Sequence, residues 1–238
     1  MLSISARMLA DLVAPWHCPR CWWIKTKVKK LPFQGGFPGV VSSLDAYEKK
    51  LTNLHCQDHG KPPPWLDAFG DIELLPVPHW RRFKAVDEET GIELRGVPDI
   101  IFREKNGTYG IVDHKTAKLS PAQETMRPVY QVQLSCYAWI GERCGLKPVE
   151  TVGLVYFEPR TDFDEGELAG LLSNAGMKMS FRATAVPVDL KLDLIPKLLR
   201  RAQQIADMQE PPEGKEECKD CEAMNAVYRL LGCPTAAA

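Results

Sequence analysis

The feature that most constrains this chain is a run of short apolar strands, punctuated by turns, that ends abruptly in charge. From about Arg82 to His114, apolar and β-branched stretches alternate with the turn signals "EETG" and "EKNG", which predicts a meander of about three strands. The last of them, "GIVDHK", delivers Asp113, His114 and Lys115 where the apolar run stops. "RPVYQVQLSCYAWIGERCG" then returns to helical spacing and stops at Gly145, and "TVGLVYFEPR" reads as a buried strand. Strands, helix and strand in this order imply a mixed α/β arrangement around one modest sheet.

The flanks are more helical. Ile4, Met8, Leu9 and Leu12 predict a short helix over 1–12, before Pro15. "SSLDAYEKKLTNLHC" predicts another, with Leu44, Tyr47, Leu51 and Leu54 as its apolar stripe. "MKMSFRATAVPVDL" reads as an edge strand, because Pro187 lies within it, and "LDLIPKLLRRAQQIADM" as an amphipathic helix with Pro196 in its first turn. At 238 residues the expectation is one domain over 1–238. Its core lies at about 80–160, a helical region at 1–65, and a helix with a cysteine-bearing tail at 190–238.

A net charge of −1 excludes a global basic field, although a local basic stripe is enough to hold nucleic acid. The N-terminus lacks a basic start and a long apolar run, and no segment approaches the ~18 apolar residues of a membrane span. The expected location is the cytoplasm, with no membrane partner. There the eight cysteines read as thiols or metal ligands rather than disulfides.

Asp99, in "GVPDIIF", and Asp113 stand on segments joined by one hairpin loop, so an antiparallel pairing sets them side by side. Two adjacent carboxylates repel, and a hard divalent cation, Mg²⁺ or Mn²⁺, removes the conflict. Strand alternation points Lys115 to the same face as Asp113 and turns the His114 side chain away. A lysine there suits the positioning of an attacking water or the stabilisation of charge on a phosphorane-like transition state. Taken alone, an Asp-x-Lys triplet is also compatible with a solvated turn.

The full set, Pro98-Asp99, a short hairpin, then Asp113-His114-Lys115, resembles the PD-(D/E)xK nuclease superfamily. Gln133 and Tyr137, in "QLSCY" on the following helix, match the Gln-x3-Tyr signature of its RecB-like branch and share one helix face. The resemblance implies a restriction-endonuclease-like core, a small central mixed sheet flanked by helices. It also implies a Mg²⁺- or Mn²⁺-dependent deoxyribonuclease, exonuclease rather than endonuclease, acting on single-stranded DNA or DNA ends. Repair, recombination, phage replication or CRISPR adaptation are the implied settings, with a helicase, recombinase or integrase as partner. The alternative is a catalytically silent DNA-binding subunit of such a complex. By resemblance, Asp99, Asp113, Lys115, Gln133 and Tyr137 are the catalytic set, and the His114 backbone carbonyl joins Asp99 and Asp113 on the metal. The family also expects a ligand from an earlier helix, where Asp45 is preferred over Glu48.

"CPRC" and "CKDC" place Cys18, Cys21, Cys218 and Cys221 as two thiolate pairs. A shared site would tie the two ends of the chain together, with Zn²⁺ or an iron–sulfur cluster as occupant. RecB-like relatives close the domain with a 4Fe-4S cluster on one N-terminal and three C-terminal cysteines. The pattern here departs from that, leaving Zn²⁺ open and Cys18, Cys218, Cys221 and Cys233 as the alternative set. "RCWWIKTKVKK" interleaves tryptophans with cations, making Arg20, Trp22, Lys25 and Lys27 candidate DNA contacts. Burial of the tryptophans beside the thiolates is the competing reading.

Overall fold

The computed structural model describes residues 1–28 and 38–232. The chain opens with β1 (Ser3–Ser5), α1 (Ala6–Ala10) and a 3-10 turn at Asp11–Val13. The helices α2 (Pro19–Val28) and α3 (Gly39–His59) follow, then a 3-10 segment at Pro64–Phe69. Next come β2 (Ile72–Leu75), β3 (Lys84–Val86), β4 (Glu93–Arg95), β5 (Ile100–Glu104) and β6 (Tyr109–Lys115). α4 (Pro121–Glu124) and α5 (Arg127–Arg143) carry the chain to β7 (Val149–Pro159). The described chain is completed by α6 (Glu165–Ala169), the hairpin β8 (Leu172–Ser173) and β9 (Gly176–Met177), β10 (Phe181–Val188), α7 (Leu194–Asp207) and α8 (Lys219–Leu230).

The architecture is mixed α/β, with a central mixed sheet flanked by helices, consistent with a restriction-endonuclease-like fold. Its strand order is β10-β7-β6-β5-β2. β5 and β6 form an antiparallel hairpin with Ile100 opposite Val112, whereas β6 and β7 run parallel with Asp113 opposite Leu154. Parallel neighbours need a crossover, and α5 supplies it. α5 is buried from Val129 to Gly141 except at Gln131, because it lies between the sheet on one side and α1 and α7 on the other. The largest apolar cluster forms there, with Ile111, Leu134, Ile140, Leu154 and Leu199. On the opposite sheet face, Val112, Val155, Phe157 and Phe102 pack under the 3-10 segment, through Leu66 and Phe69.

The structure departs from the sequence reading in several places. The meander is divided between two sheets: β3 and β4 pair with β1 in a separate three-stranded sheet, and Gly96–Asp99 carry the chain across to the main one. Gly96 is required in that passage, since a Cβ there would lie 2.4 Å from the Tyr137 ring. The N-terminal helix begins later than its apolar spacing suggests, because Ser3–Ser5 pair parallel to β4 and the Ser5 hydroxyl caps α1 by accepting from the Met8 N–H at 3.0 Å. The stripe on α3 is inverted: Tyr47, Leu51 and Leu54 are exposed, and the buried residues are Glu48 and Thr52. The inward face of α3 meets the end of β6, where polar partners wait: the Thr116 hydroxyl donates to Glu48 Oε1 at 3.0 Å. The strand β2, set among prolines, and the helix α8, in the cysteine tail, were not anticipated.

Gly110 sits opposite Phe102 in the hairpin, and a Cβ at Gly110 would meet the Phe102 ring at 2.0 Å. Gly110→Ala is therefore expected to destabilise the fold by about 1–3 kcal/mol. Urea denaturation would show a lowered midpoint at unchanged slope, and an unchanged midpoint would contradict this packing.

Candidate functional site

The C-terminal end of β6 gathers the polar groups that the apolar strand leads to. Asp113 is buried, at 5% exposure, on the face covered by α5, and its carboxylate contacts the Lys115 ammonium. Lys115 lies 3.5 Å from Gln133 Oε1 and 4.4 Å from the centre of the Tyr130 ring. The Gln133 amide N–H in turn donates to the Tyr137 hydroxyl at 2.8 Å. Tyr137 thus takes the amide nitrogen and leaves the amide oxygen turned toward Lys115. The i, i+4 pair on α5 is thereby joined side chain to side chain.

Asp99 stands beside Asp113, just before β5, where its backbone N–H donates to the Val112 carbonyl at 3.2 Å. Its Oδ2 accepts the His114 backbone N–H at 2.6 Å, and its Oδ1 lies 2.7 Å from the Lys49 ammonium. Lys49 also reaches Asp45 at 2.8 Å, so one cation from α3 bridges two carboxylates. Burial acts to lower the Lys49 pKa, but Asp45 and Asp99 outweigh it and hold the ammonium above its usual range. Burial pushes Asp113 above the ordinary carboxylate range; Lys115 opposes that rise and the nearby Asp99 adds to it. Tyr137 is likewise raised, first by burial and then by Asp113, so it stays a neutral hydroxyl.

On the far face of β6, the buried His114 ring sits edge-on to Phe157, with ring centres 5.0 Å apart. Its Nδ1 is 3.6 Å from Glu48 Oε2, and neither ring nitrogen nor that carboxylate oxygen has a hydrogen-bond partner. Unpartnered polar atoms in an interior are costly, and this His114–Glu48 pair carries three of them. Asp45, by contrast, keeps nearly half its side chain exposed and approaches Asp99 through Lys49. Sequence reasoning ranked Asp45 above Glu48; the structure buries Glu48. Lys49 went unnoticed, although the i, i+4 spacing from Asp45 was a usable signal.

Two clefts open onto this end of the sheet. One, of about 700 Å³, is lined by Arg7, Asp45, Glu48, Lys115, Tyr130 and Gln133. The other, of about 500 Å³, runs from Asp99, Lys49 and His114 along Leu74–Trp80. Trp80 is 51% exposed at its rim, with the Arg81 guanidinium 5.1 Å from its ring centre.

A second centre joins the chain ends. Cys18 and Cys21 flank the first turn of α2, and Cys218 and Cys221 occupy the same positions on α8. In each pair the first cysteine's carbonyl accepts the N–H four residues on, from Trp22 at 3.0 Å and Glu222 at 2.9 Å. One sulfur from each of the four cysteines lies within 4.8 Å of all the others. Burial acts to raise the Cys18 thiol, but backbone N–H groups of Cys21 and Lys215 bring it down to about 7. Burial raises Cys221 to about 12. Cys233 lies outside the described residues.

Two members of the basic and aromatic stretch that follows Cys18 are used for packing. Trp22 is 2% exposed, its indole N–H donating to the Met8 carbonyl at 2.9 Å, and Arg20 is buried with Nε on the Pro212 carbonyl at 3.2 Å. Neither presents a face to a DNA strand, which corrects their assignment as contacts. Lys25 pairs with Asp11 at 3.7 Å, and Lys27 donates to the Ala206 carbonyl at 2.8 Å. Lys27 thereby fastens α2 to α7.

A model of the PD-(D/E)XK nuclease superfamily matches residues 41–226, more than half of the chain. Among solved structures, the chain is similar to a protein described as SSO0001. The identity is 16%, with 100% of this chain and 89% of that one covered at a TM-score of 0.41. Curated proteins gave no match. Among the described residues, no helix is long and apolar enough to cross a membrane.

The raised Asp113 pKa has a stability consequence. An acid whose folded pKa exceeds its unfolded value favours folding below the ordinary carboxylate pKa, and loses that contribution as pH rises through the raised one. Asp113→Asn removes the ionisation. In divalent-free buffer, its thermal midpoint is expected to gain on the wild type as pH rises from acid to neutral. A pH-independent gap between the two melting curves would refute the burial penalty.

Proposed function

The chain belongs to the PD-(D/E)XK nuclease superfamily, and from that footing we propose that it is a Mg²⁺- or Mn²⁺-dependent deoxyribonuclease acting on single-stranded DNA or DNA ends, as an exonuclease. The observation that carries this reading is the convergence of Asp99, Asp113 and Lys115, with Gln133 behind them, where Asp99 lines one open cleft and Lys115 the other. The donors suit a hard cation: two neighbouring carboxylates, one held above its normal pKa, and the unpartnered oxygen of Glu48. Asp99, Asp113 and the His114 carbonyl would hold the ion, and Glu48 is the better candidate than Asp45 for the acid from α3. When bound, the ion supplies Lewis acidity and a lowered pKa for an attacking water.

Each residue of the chain then has a distinct task. Lys115, held by Gln133, sets a positive charge beside the reacting phosphate. Gln133 and Tyr137 position that lysine through the amide orientation described above. Lys49 neutralises Asp45 and Asp99 in the free protein. Trp80 offers an exposed indole on which an unpaired base can stack, and Arg81 adds a cation for the backbone. The RecB-like branch is supported by Gln133 and Tyr137 at their i, i+4 spacing. Thiolate donors at the chain ends suit either a 4Fe-4S cluster or Zn²⁺.

The test is a Mn²⁺-supported nuclease assay with single- and double-stranded substrates bearing free or blocked ends. Asp113→Ala and Lys115→Ala are each expected to lower turnover by roughly 10²-fold or more. Glu48→Ala should lose more activity than Asp45→Ala, and Trp80→Ala should raise KM on single strands by roughly tenfold at little cost in kcat. Wild-type turnover surviving in Lys115→Ala would sink the mechanism. Wild-type protein that binds DNA without cutting it would favour the silent-subunit reading.

A further inference from the structure

The spacing of the four thiols discriminates between their two candidate occupants. The Sγ atoms of Cys18 and Cys221 are 3.6 Å apart, those of Cys21 and Cys218 3.6 Å, and those of Cys21 and Cys221 3.5 Å. A single tetrahedral ion with metal–sulfur bonds of about 2.3 Å sets its ligand sulfurs about 3.8 Å apart. A cubane interposes its own irons and sulfides. With irons about 2.7 Å apart and each thiolate about 2.3 Å further out, the cysteine sulfurs are forced to roughly 6 Å. Every pair here lies within 4.8 Å, short of that separation.

The surroundings restrict expansion independently. The 212–215 segment lies over the sulfurs: the Lys215 backbone N–H donates to Cys18 Sγ at 3.2 Å, and a Cβ on Gly214 would sit 3.0 Å from Cys221 Sγ. Arg20 holds the same segment through the Pro212 carbonyl. Opening the sulfurs to cubane dimensions would displace a loop pinned on both sides. N–H donation to a sulfur is the kind of outer contact that orients a metal thiolate. The two pairs also sit at the N-termini of α2 and α8, where helix dipoles favour thiolate charge.

We propose that Cys18, Cys21, Cys218 and Cys221 hold one structural Zn²⁺ ion, not the 4Fe-4S cluster that the RecB-like resemblance implies. The ion closes a loop of about 200 residues, and its binding free energy becomes folding free energy for the two chain ends. This inference is independent of the nuclease reading, since metal content is measured without DNA.

The test uses the full chain, expressed in medium supplemented with both iron and zinc and purified under anaerobic conditions. Elemental analysis is expected to give about one zinc per chain, without acid-labile sulfide or a brown colour. Cys221→Ser should lose that zinc and Cys56→Ser should keep it. Stripping the ion should lower the thermal midpoint by roughly 10 °C or more, recovered with Zn²⁺ but not Mg²⁺. Exchange with Co²⁺ should give the intense visible bands of a tetrahedral tetrathiolate site. Iron and sulfide near four each per chain would overturn the proposal, as would wild-type protein purified with no metal.

Discussion

Asp113 is a carboxylate held inside the protein, and the neighbouring structure is organised around the cost of keeping it there. Removing such a group from water is unfavourable unless it is paired, and Asp99 beside it makes ionisation harder still. Lys115 supplies the compensating charge, Gln133 fixes Lys115, and Tyr137 fixes Gln133. Tyr137 can stand there because Gly96 leaves room for its ring, at the point where the chain crosses from the small sheet to the main one. The burial of α5 on nearly every side makes this chain of contacts rigid, since its rotation would break packing against the sheet and against α1 and α7 together.

The parts of this arrangement that were legible in the sequence are those governed by local rules. A hairpin with a short turn brings Asp99 beside Asp113, strand alternation sends Lys115 to the same face, and helical spacing pairs Gln133 with Tyr137. The two CxxC pairs were legible for the same reason, because each is one helical turn long. The α3 helix was misread because its apolar positions repeat at core-like spacing while its buried side is polar. Glu48 is buried by partners such as Thr116, 68 positions away, and no local pattern reports that. Arg20 and Trp22, just after Cys18, misled in the opposite direction. Cations and tryptophan serve strand binding and helix docking alike, and for Trp22 the Met8 carbonyl decided for docking.

The two polar centres are built on opposite logic. At the thiolate centre, loop and helix termini converge from the extremes of the chain, and backbone N–H groups press inward on the sulfurs. At the carboxylate centre, strands and helices at the middle of the sequence bring acids together and leave open volume beside them. A closed set of ligands suits a structural ion, and an open one suits an ion that must also meet a substrate.

The strand β6 carries a different message on each of its faces. Asp113 and Lys115 address α5, whereas Val112 and His114 address Phe157 and Glu48. The identity of the site is therefore a matter of parity along seven residues. An extra residue in the turn after Glu104 leaves that parity intact. One inserted between Gly110 and Asp113 would trade imidazole for carboxylate across the whole sheet. Length variation in this hairpin is thus tolerable at the turn and disruptive between Gly110 and Asp113, for reasons of odd and even count rather than of chemistry.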